Sequence, residues 1–507
     1  MGIPAYFSHI LKEHANILLS LQRIQENQTQ FHRLYMDCNS IVYDSYREIL
    51  QTNKNPSYQE IIQHVIQSIK NIIQQIKPNK TAYIAFDGVA PFAKMKQQRL
   101  RRFRNEYFQN QTPSSNQQHH QPTFQTYMIT PGTKFMQELS KELQNTFKKQ
   151  KNIVLSTSNE PGEGEHKMME HYRQNVTKKE NVAIYGLDSD LIMLAIFHHH
   201  MANQVYIFRE APEFFKSKIP ITFQHPKEPY FIDIKEFVTT LKVHTNMDVY
   251  DYVFLCFLLG NDFLPHFPTL NLRTRGMQVI EDIYTTMLKK HKPFITPPSK
   301  IKFSHYWTIN WPSFYHFVFH LAKLEHELLI QEYKQRERQE CRYFMETTPE
   351  ERETSHQHIP QQLRSKELYI DPEQSNWEAR YYKVLFPMNT DTTQIAKNYV
   401  EGLEWVFQYY TGSCKDWTWS YKYNYPPLIK DLLNHIPTEK YPHYTLLDSN
   451  QEQLTQRQQL DYVLPAIAKY QEGMITKEEY ESLHKKEEQI ELDWTFCKYL
   501  WEAHLTM

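Results

Sequence analysis

Four short apolar runs, each followed closely by acid, constrain the fold of this chain more than any other feature. Residues 31–36 run into Asp37, residues 81–86 into Asp87 and residues 182–187 into Asp188. Residues 152–157 lead into the turn Pro161-Gly-Glu-Gly-Glu165. Each run has the length and the β-branched or aromatic content of a strand, and a helical pattern follows each. The clearest such helix carries Ile61, Ile62, Val65, Ile66, Ile69, Ile72, Ile73 and Ile76, an i, i+3, i+4 stripe that makes one apolar face. Strand–helix alternation predicts an α/β fold with a mostly parallel sheet flanked by helices. Ligands of such sheets gather outside the carboxyl ends of the strands, and that is where the acids fall.

Asp37, Asp87, Glu163, Glu165, Asp188 and Asp190 stand at or near these ends, and Asp262 follows the apolar run 252–259. For any one of them taken singly, a helix N-cap is the likelier reading. Seven on one sheet edge would repel one another and hold protons unless cations lay between them. Mg²⁺ or Mn²⁺ prefers oxygen ligands, and a pair of ions about 4 Å apart clamps the attacking and leaving oxygens of a phosphodiester. Glycine supports this. The chain has only 11 in 507 residues, yet Gly88, Gly162, Gly164, Gly186 and Gly260 all lie within two residues of an acid. Such positions suit tight turns or a close ligand.

A basic segment follows Asp87. At about 100° per residue, Lys94, Gln98, Arg101 and Arg102 share one helix face, and Met95, Leu100 and Phe103 give no single core-facing stripe. Forked arginine donors suit a phosphate; a solvated basic face is the ordinary alternative. Further on, Trp417-Thr-Trp-Ser-Tyr-Lys-Tyr-Asn-Tyr425 alternates aromatic with polar. We expect an extended segment burying most of its aromatic face, with one tryptophan free to stack on a base.

The net charge of −1 confines any nucleic-acid surface to a local patch. Five scattered cysteines without a C-x-x-C pair suggest neither a zinc module nor a disulfide framework and fit a reducing compartment. With no long apolar stretch and no signal-peptide pattern, we expect a soluble intracellular protein, cytoplasmic or nuclear. Residues 109–123 read as a surface loop and 331–367 as a charged, solvated helix or linker. The expected organisation is an α/β unit over 1–275, a helical and charged connection over 276–375, and an aromatic-rich segment with a polar helical tail over 376–507.

In order along the chain come Met1-Gly-Ile-Pro4, Tyr35-Met-Asp37-x-Asn39, Phe86-Asp-Gly-Val-Ala-Pro91, Lys94-Met-x-Gln-Gln-Arg99 with Arg101-Arg-Phe-Arg104, Ile129-Thr-Pro-Gly-Thr133, Pro161-Gly-Glu-Gly-Glu-His-Lys167, Gly186-Leu-Asp-Ser-Asp190, Gly260-Asn-Asp-Phe-Leu-Pro-His266, Glu401-Gly-Leu-Glu-Trp405 and Trp417-Thr-Trp419. By these motifs the chain resembles the eukaryotic 5′→3′ exoribonucleases, the XRN family. The resemblance implies a PIN/flap-nuclease-like core with an additional mainly helical domain. It implies that the seven acids hold two Mg²⁺ or Mn²⁺ ions, and that Lys94, Gln98, Arg101 and Arg102 bind a 5′-monophosphate. The leading bases would stack between Trp417 or Trp419 and Tyr43, which stands where the family has histidine. Phe92 replaces a basic residue usual in the family. The implied partner is single-stranded RNA with a 5′-monophosphate, taken by a monomer and degraded processively to nucleoside 5′-monophosphates. A flap-type endonuclease, or an inactive RNA-binding scaffold, would use the same residues.

Overall fold

The computed structural model describes residues 2–3, 5–111, 124–186, 188–211, 219, 228–287, 292–297, 307–342, 345–414, 416–439 and 453–506. Its centre is a seven-stranded sheet. In chain order the strands are β1 (Leu18–Ser20), β2 (Arg33–Asp37), β3 (Thr81–Ala85), β4 (Ile153–Ser156), β5 (Asn181–Tyr185), β6 (Gln204–Glu210) and β7 (Pro229–Asp233). They lie side by side in the order β1-β7-β6-β5-β2-β3-β4. From β6 to β4 every pairing is parallel; β7 is antiparallel to both its neighbours.

The order reverses between β2 and β5. From β2 the chain steps outward through β3 to β4, then returns to the other side of β2 for β5 and β6. A crevice forms at such a reversal because successive crossovers leave it in opposite directions. Asp37 ends β2, so its carboxylate stands at that crevice.

Pleat alternation assigns the two faces. Leu34, Met36, Ile84 and Tyr185 pack on one side with Ile62, Ile66 and Ile69 of the Tyr58–Ile76 helix. Tyr35, Tyr83, Val182 and Ile184 pack on the other with the helices Gly164–Asn175 and Ser189–His198. That second cluster continues without a break into the downstream helices and takes in Phe314, Tyr399 and Trp405.

Several expectations change. Residues 252–259 are helical, within Val249–Cys256 and Phe257–Leu259, so Asp262 reaches the site from a loop after a helix. Of the expected loop over 109–123, residues 109–111 are helical, because the basic helix extends through Phe92–Gln111; residues 112–123 lie outside those described. The segment 416–428 joins no described strand. The charged stretch is only partly solvated. Its first part completes a 30-residue helix, Trp311–Glu340, and Arg336 on that helix is buried. Arg336 donates to both carboxylate oxygens of Glu367, at 2.7 and 2.6 Å, and to the Cys497 carbonyl at 3.1 Å. Buried charges persist only when paired in this way, and sequence shows the charges without showing their partners. No described helix is long and apolar enough to cross a membrane.

Replacing Arg336 by leucine would leave Glu367 buried beside the lone cation Arg364. Breaking one side of a buried pair costs about 3–5 kcal/mol. Equilibrium urea denaturation of Arg336→Leu should show a loss of that order, while Arg457→Ala, at an exposed ion pair, should change stability by less than about 1 kcal/mol.

Candidate metal centre and nucleic-acid face

The parallel strands and the helices after them deliver the acids to one edge. Asp87 lies two residues beyond β3. Glu163 and Asp188 occupy the N-cap positions of the Gly164–Asn175 and Ser189–His198 helices, with Glu165 and Asp190 in the first turns. The capping alternative can be tested directly. Asp233, Asp248 and Asp391 each accept a hydrogen bond from their own helix's backbone N–H; Glu163 and Asp188 accept none. Their carboxylates turn away from the ordinary cap partner.

The carboxylates are held from several directions. Asn39 Nδ2 donates to Asp87 Oδ2 at 2.7 Å and the Gly164 N–H to Asp87 Oδ1 at 2.7 Å. The Tyr409 hydroxyl donates to Glu163 Oε1 at 2.6 Å, and the Tyr410 hydroxyl to Asp190 Oδ1 at 3.2 Å. Lys94 Nζ bridges Glu163 Oε2 at 2.6 Å and Asp262 Oδ2 at 2.8 Å. The Gly2 N–H reaches Asp262 Oδ1 at 3.1 Å. Two glycines permit this convergence. A Cβ on Gly164 would stand 2.9 Å from Asp37 Oδ1, and one on Gly2 would stand 2.4 Å from Asp190 Oδ1.

Burial and mutual repulsion dominate the electrostatics. Burial, then Asp87 and Asp188, push the Asp37 carboxyl up to about 8. Burial and Asp262 raise Asp190 to about 7. Glu165 is pushed well above the carboxylate range by burial, which outweighs Lys94. Burial would raise Asp262 as well, but the Lys94 ammonium beside it wins and holds its carboxyl below the usual range. Lys94 thus ion-pairs two of the seven acids, Glu163 and Asp262. Asp37 Oδ1 is buried and has no hydrogen-bond partner among the described residues. An all-oxygen set with surplus negative charge and an unused buried oxygen fits hard divalent cations.

The basic helix divides its residues. Lys94 turns to the acids. Gln98 accepts from Gln459 Nε2 at 3.3 Å. Arg102 donates to the Thr126 carbonyl at 3.1 Å and bonds the Tyr43 hydroxyl, while its Nε is buried without a described partner. Arg101 makes no hydrogen bond or ion pair to a described residue and borders the same cavity as Asp262. The helix lacks a single apolar stripe because chain surrounds it. Lys96, Arg99 and Arg104 end on the carbonyls of Tyr421, Tyr462 and Ala503, at 2.6, 2.6 and 3.0 Å. Phe92 packs its ring on Tyr462.

Of the two tryptophans, Trp419 is withdrawn from the base-stacking candidates. It is 6% exposed and stacked on Trp405 with ring centres 5.1 Å apart, because Trp419, Tyr421 and Tyr425 are the aromatics this segment buries. Trp417 remains partly exposed beside the acidic turn. A Cβ on Gly162 would lie 3.8 Å from its ring, and its carbonyl accepts from the Phe92 N–H. Tyr43 is partly buried against the β2 side of the core.

Comparison with known proteins identifies the family. Residues 1–211 match the XRN 5′–3′ exonuclease N-terminus, and residues 242–371 and 372–471 match the Xrn1 helical domain. The chain belongs to the XRN family. Family members are nucleases, and so hydrolases. This XRN chain is 26% identical over 86% of its length to the 5′–3′ exoribonuclease 2 homolog of Drosophila melanogaster, of which it covers 61%. It is 26% identical over 85% of its length to 5′–3′ exoribonuclease 1 of Saccharomyces cerevisiae, of which it covers 37%. It therefore spans less than two thirds of the length of each of these relatives. Among solved structures, the catalytic core of Rad2 in complex with DNA substrate is similar over 56% of this chain and 69% of that one, at 13% identity and a TM-score of 0.32.

Sequence reasoning missed Tyr409, Tyr410, His166 and Lys167. The two tyrosines belong to the Thr392–Thr411 helix, and nothing local marks them as neighbours of Glu163 and Asp190. His166 lies with Glu163 and Glu165 in one cluster of ligand-type atoms and packs against the Tyr409 ring. Lys167 donates to the Phe86 and Thr157 carbonyls at 2.8 Å each and ties the acidic turn to the ends of β3 and β4.

Asp37, Asp190 and Glu165 bind protons more tightly folded than unfolded. Their contribution is complete below the unfolded value of about 4 and is lost as pH rises through about 7 to 8. Without divalent ions, calorimetric Tm should therefore fall between about pH 5 and pH 8, and millimolar Mn²⁺ should restore most of the loss at the higher pH.

Proposed function

We propose that this protein is a processive 5′→3′ exoribonuclease that hydrolyses single-stranded, 5′-monophosphorylated RNA to nucleoside 5′-monophosphates. The observation that carries this is the convergence of seven carboxylates at the β2–β5 reversal, with both N-cap acids turned away from their own helix. Asp37, Asp87, Glu163, Glu165, Asp188, Asp190 and Asp262 would hold two Mg²⁺ or Mn²⁺ ions. When bound, these supply an activated water and stabilise the charge that develops on the phosphodiester.

The chain's own residues do the rest. Asn39 and the Gly164 N–H orient Asp87. Tyr409 and Tyr410 fix the carboxylates of Glu163 and Asp190. Lys94 neutralises Glu163 and Asp262 and adds positive charge beside the reacting phosphate. Arg101 presents free guanidinium donors to the terminal 5′-phosphate, with the unpartnered Nε of Arg102 and the Gln98 amide as further ligands of that phosphate. Trp417, at the rim of the acidic turn, and Tyr43, beside Arg102, offer ring faces for the leading bases. Each cleavage exposes a new 5′-phosphate, so the recognised group is renewed without release of the strand. Family membership and relatives named 5′–3′ exoribonucleases support this assignment.

The test is digestion of RNA carrying 5′-phosphate, 5′-hydroxyl or capped ends, with Mg²⁺ or Mn²⁺. Mononucleotides should appear rapidly only from the 5′-phosphorylated substrate. Asp188→Ala should lose at least about a hundredfold in rate while still binding RNA. Arg101→Ala should lose about tenfold of the preference for 5′-phosphate over 5′-hydroxyl, the value of one charge-assisted hydrogen bond. Cleavage only inside end-blocked or branched nucleic acid would replace this assignment with the endonuclease one.

A further inference from the structure

Beyond Arg101 and Asp262 lies space that the proposed reaction does not use. A cavity of about 360 Å³ has Gly2, Arg101 and Asp262 in one wall and the apolar surfaces of Leu264, Pro426 and Trp501 in others. A second cavity of about 700 Å³ adjoins it, since Ala5 and Arg273 stand in the walls of both. Both volumes lie within the range of about 300–1,000 Å³ usual for small-molecule sites. The outer cavity is lined by Lys12, Arg273, Arg275 and Lys498 against Glu13 and Glu281, an excess of positive charge.

The inner cavity is distinct from the phosphate-binding face. Gln97, Leu100, Arg101 and Arg104 of the basic helix border it. At 3.6 residues per turn their face is rotated by about 110° from that of Lys94, Gln98 and Arg102. Arg101 lies where the two faces meet. Where the cavities join, Arg273 Nη2 is 2.5 Å from Glu502 Oε1, and its guanidinium lies 5.5 Å from the centre of the Tyr499 ring.

We propose that these joined cavities bind the nucleoside 5′-monophosphate product and form its way out. This rests on the exoribonuclease assignment above. In that reaction the released nucleotide starts with its phosphate beside Arg101, while the remaining strand occupies the approach along Trp417. The product is a ribose that carries a planar aromatic base, with faces that stack on apolar surface and polar edges, and a dianionic phosphate. The inner cavity offers the apolar side chains of Leu264, Pro426 and Trp501 and the arginines Arg101, Arg104 and Arg273, with Asp262 and Glu502 as its carboxylates. Arg273 exchanges Glu502 for the product phosphate, and the positive outer cavity draws the phosphate on toward solvent. Processive turnover then needs no release of the strand, because substrate and product do not share an opening.

Adenosine 5′-monophosphate is the probe. Titration calorimetry on the full chain in EDTA should find two molecules bound per chain, one on the basic face and one in the passage. In Arg273→Gln and in Lys498→Glu the second should bind about tenfold more weakly, with the thermal midpoint of Lys498→Glu unchanged. Arg273→Gln leaves Glu502 without its cation, so Lys498→Glu, at the outer mouth, decides should Arg273→Gln fail to fold. A single bound molecule in the wild type, or isotherms identical in wild type and Lys498→Glu, overturns the passage. The parent assignment fails separately, if the wild type with Mn²⁺ releases no mononucleotide from 5′-phosphorylated RNA. Release of mononucleotide with unchanged isotherms removes the passage alone.

Discussion

Crowded negative charge at the β2–β5 reversal is the constraint around which the rest of the structure is arranged. Moving an ionised carboxylate out of water costs several kcal/mol even after relaxation, and here the ion pairs of Lys94 reach only Glu163 and Asp262. Such a site cannot be stable as a set of free anions. It survives by three devices: protons retained well above their usual range on Asp37, Glu165 and Asp190, the Lys94 bridge, and neutral donors fixed on the oxygens. The glycines follow from the same requirement. At Gly164 and Gly2 a single methyl group would meet a carboxylate oxygen at 2.9 Å or less, so closeness of approach selects the residue at both places.

The helical half of the chain has its meaning in the same place. The Thr392–Thr411 helix packs against the Ser189–His198 helix through an aromatic and aliphatic core. Its terminal pair, Tyr409 and Tyr410, delivers hydroxyls to Glu163 and Asp190. Burial drives both phenols well above their usual range, so they stay protonated and act purely as donors to carboxylates. The second region therefore completes the acidic centre and roofs it. The sheet edge alone would leave Glu163 and Asp190 short of these hydrogen bonds.

The sequence showed much of the sheet because its centre obeys local rules. β2, β3, β4 and β5 are short apolar runs, and the acids that follow them mark the functional edge. β1, β6 and β7 were not anticipated, although β6 ends in Glu210 and β7 in Asp233. The acids were legible as types at spacings, and Lys94 as one member of a basic face. Its role as their shared counter-ion was not, since the partners Glu163 and Asp262 lie 69 and 168 residues away. The tyrosine donors were beyond reach for the same reason: Tyr409 to Glu163 spans 246 residues. Alternation in the 417–425 segment correctly indicated a buried aromatic face. It could not tell Trp417 from Trp419, because period two places both on one side, and only the stack of Trp419 on Trp405 separates them.

The cations of the Phe92–Gln111 helix show how the chain distinguishes structure from recognition. Lys96, Arg99 and Arg104 are partly or largely buried, and each donates to a backbone carbonyl from a different downstream segment, although Arg104 Nε is buried without a partner among the described residues. An unsatisfied buried charged donor would cost more than about 1–3 kcal/mol, so these three act as fasteners between the helix and the second region. Lys94 is consumed by the acids. Arg101 belongs to the same run and the same chemistry, yet it makes no hydrogen bond or ion pair to a described residue, acts on Asp262 only through space, and stands where the acidic centre and the inner cavity come together. A guanidinium left in such a place keeps its full set of donors for an anion that arrives from outside, and phosphate is the anion whose geometry its fork matches. The fastened neighbours make that possible by holding the helix still, so that Arg101 is presented in a fixed position without bonds of its own.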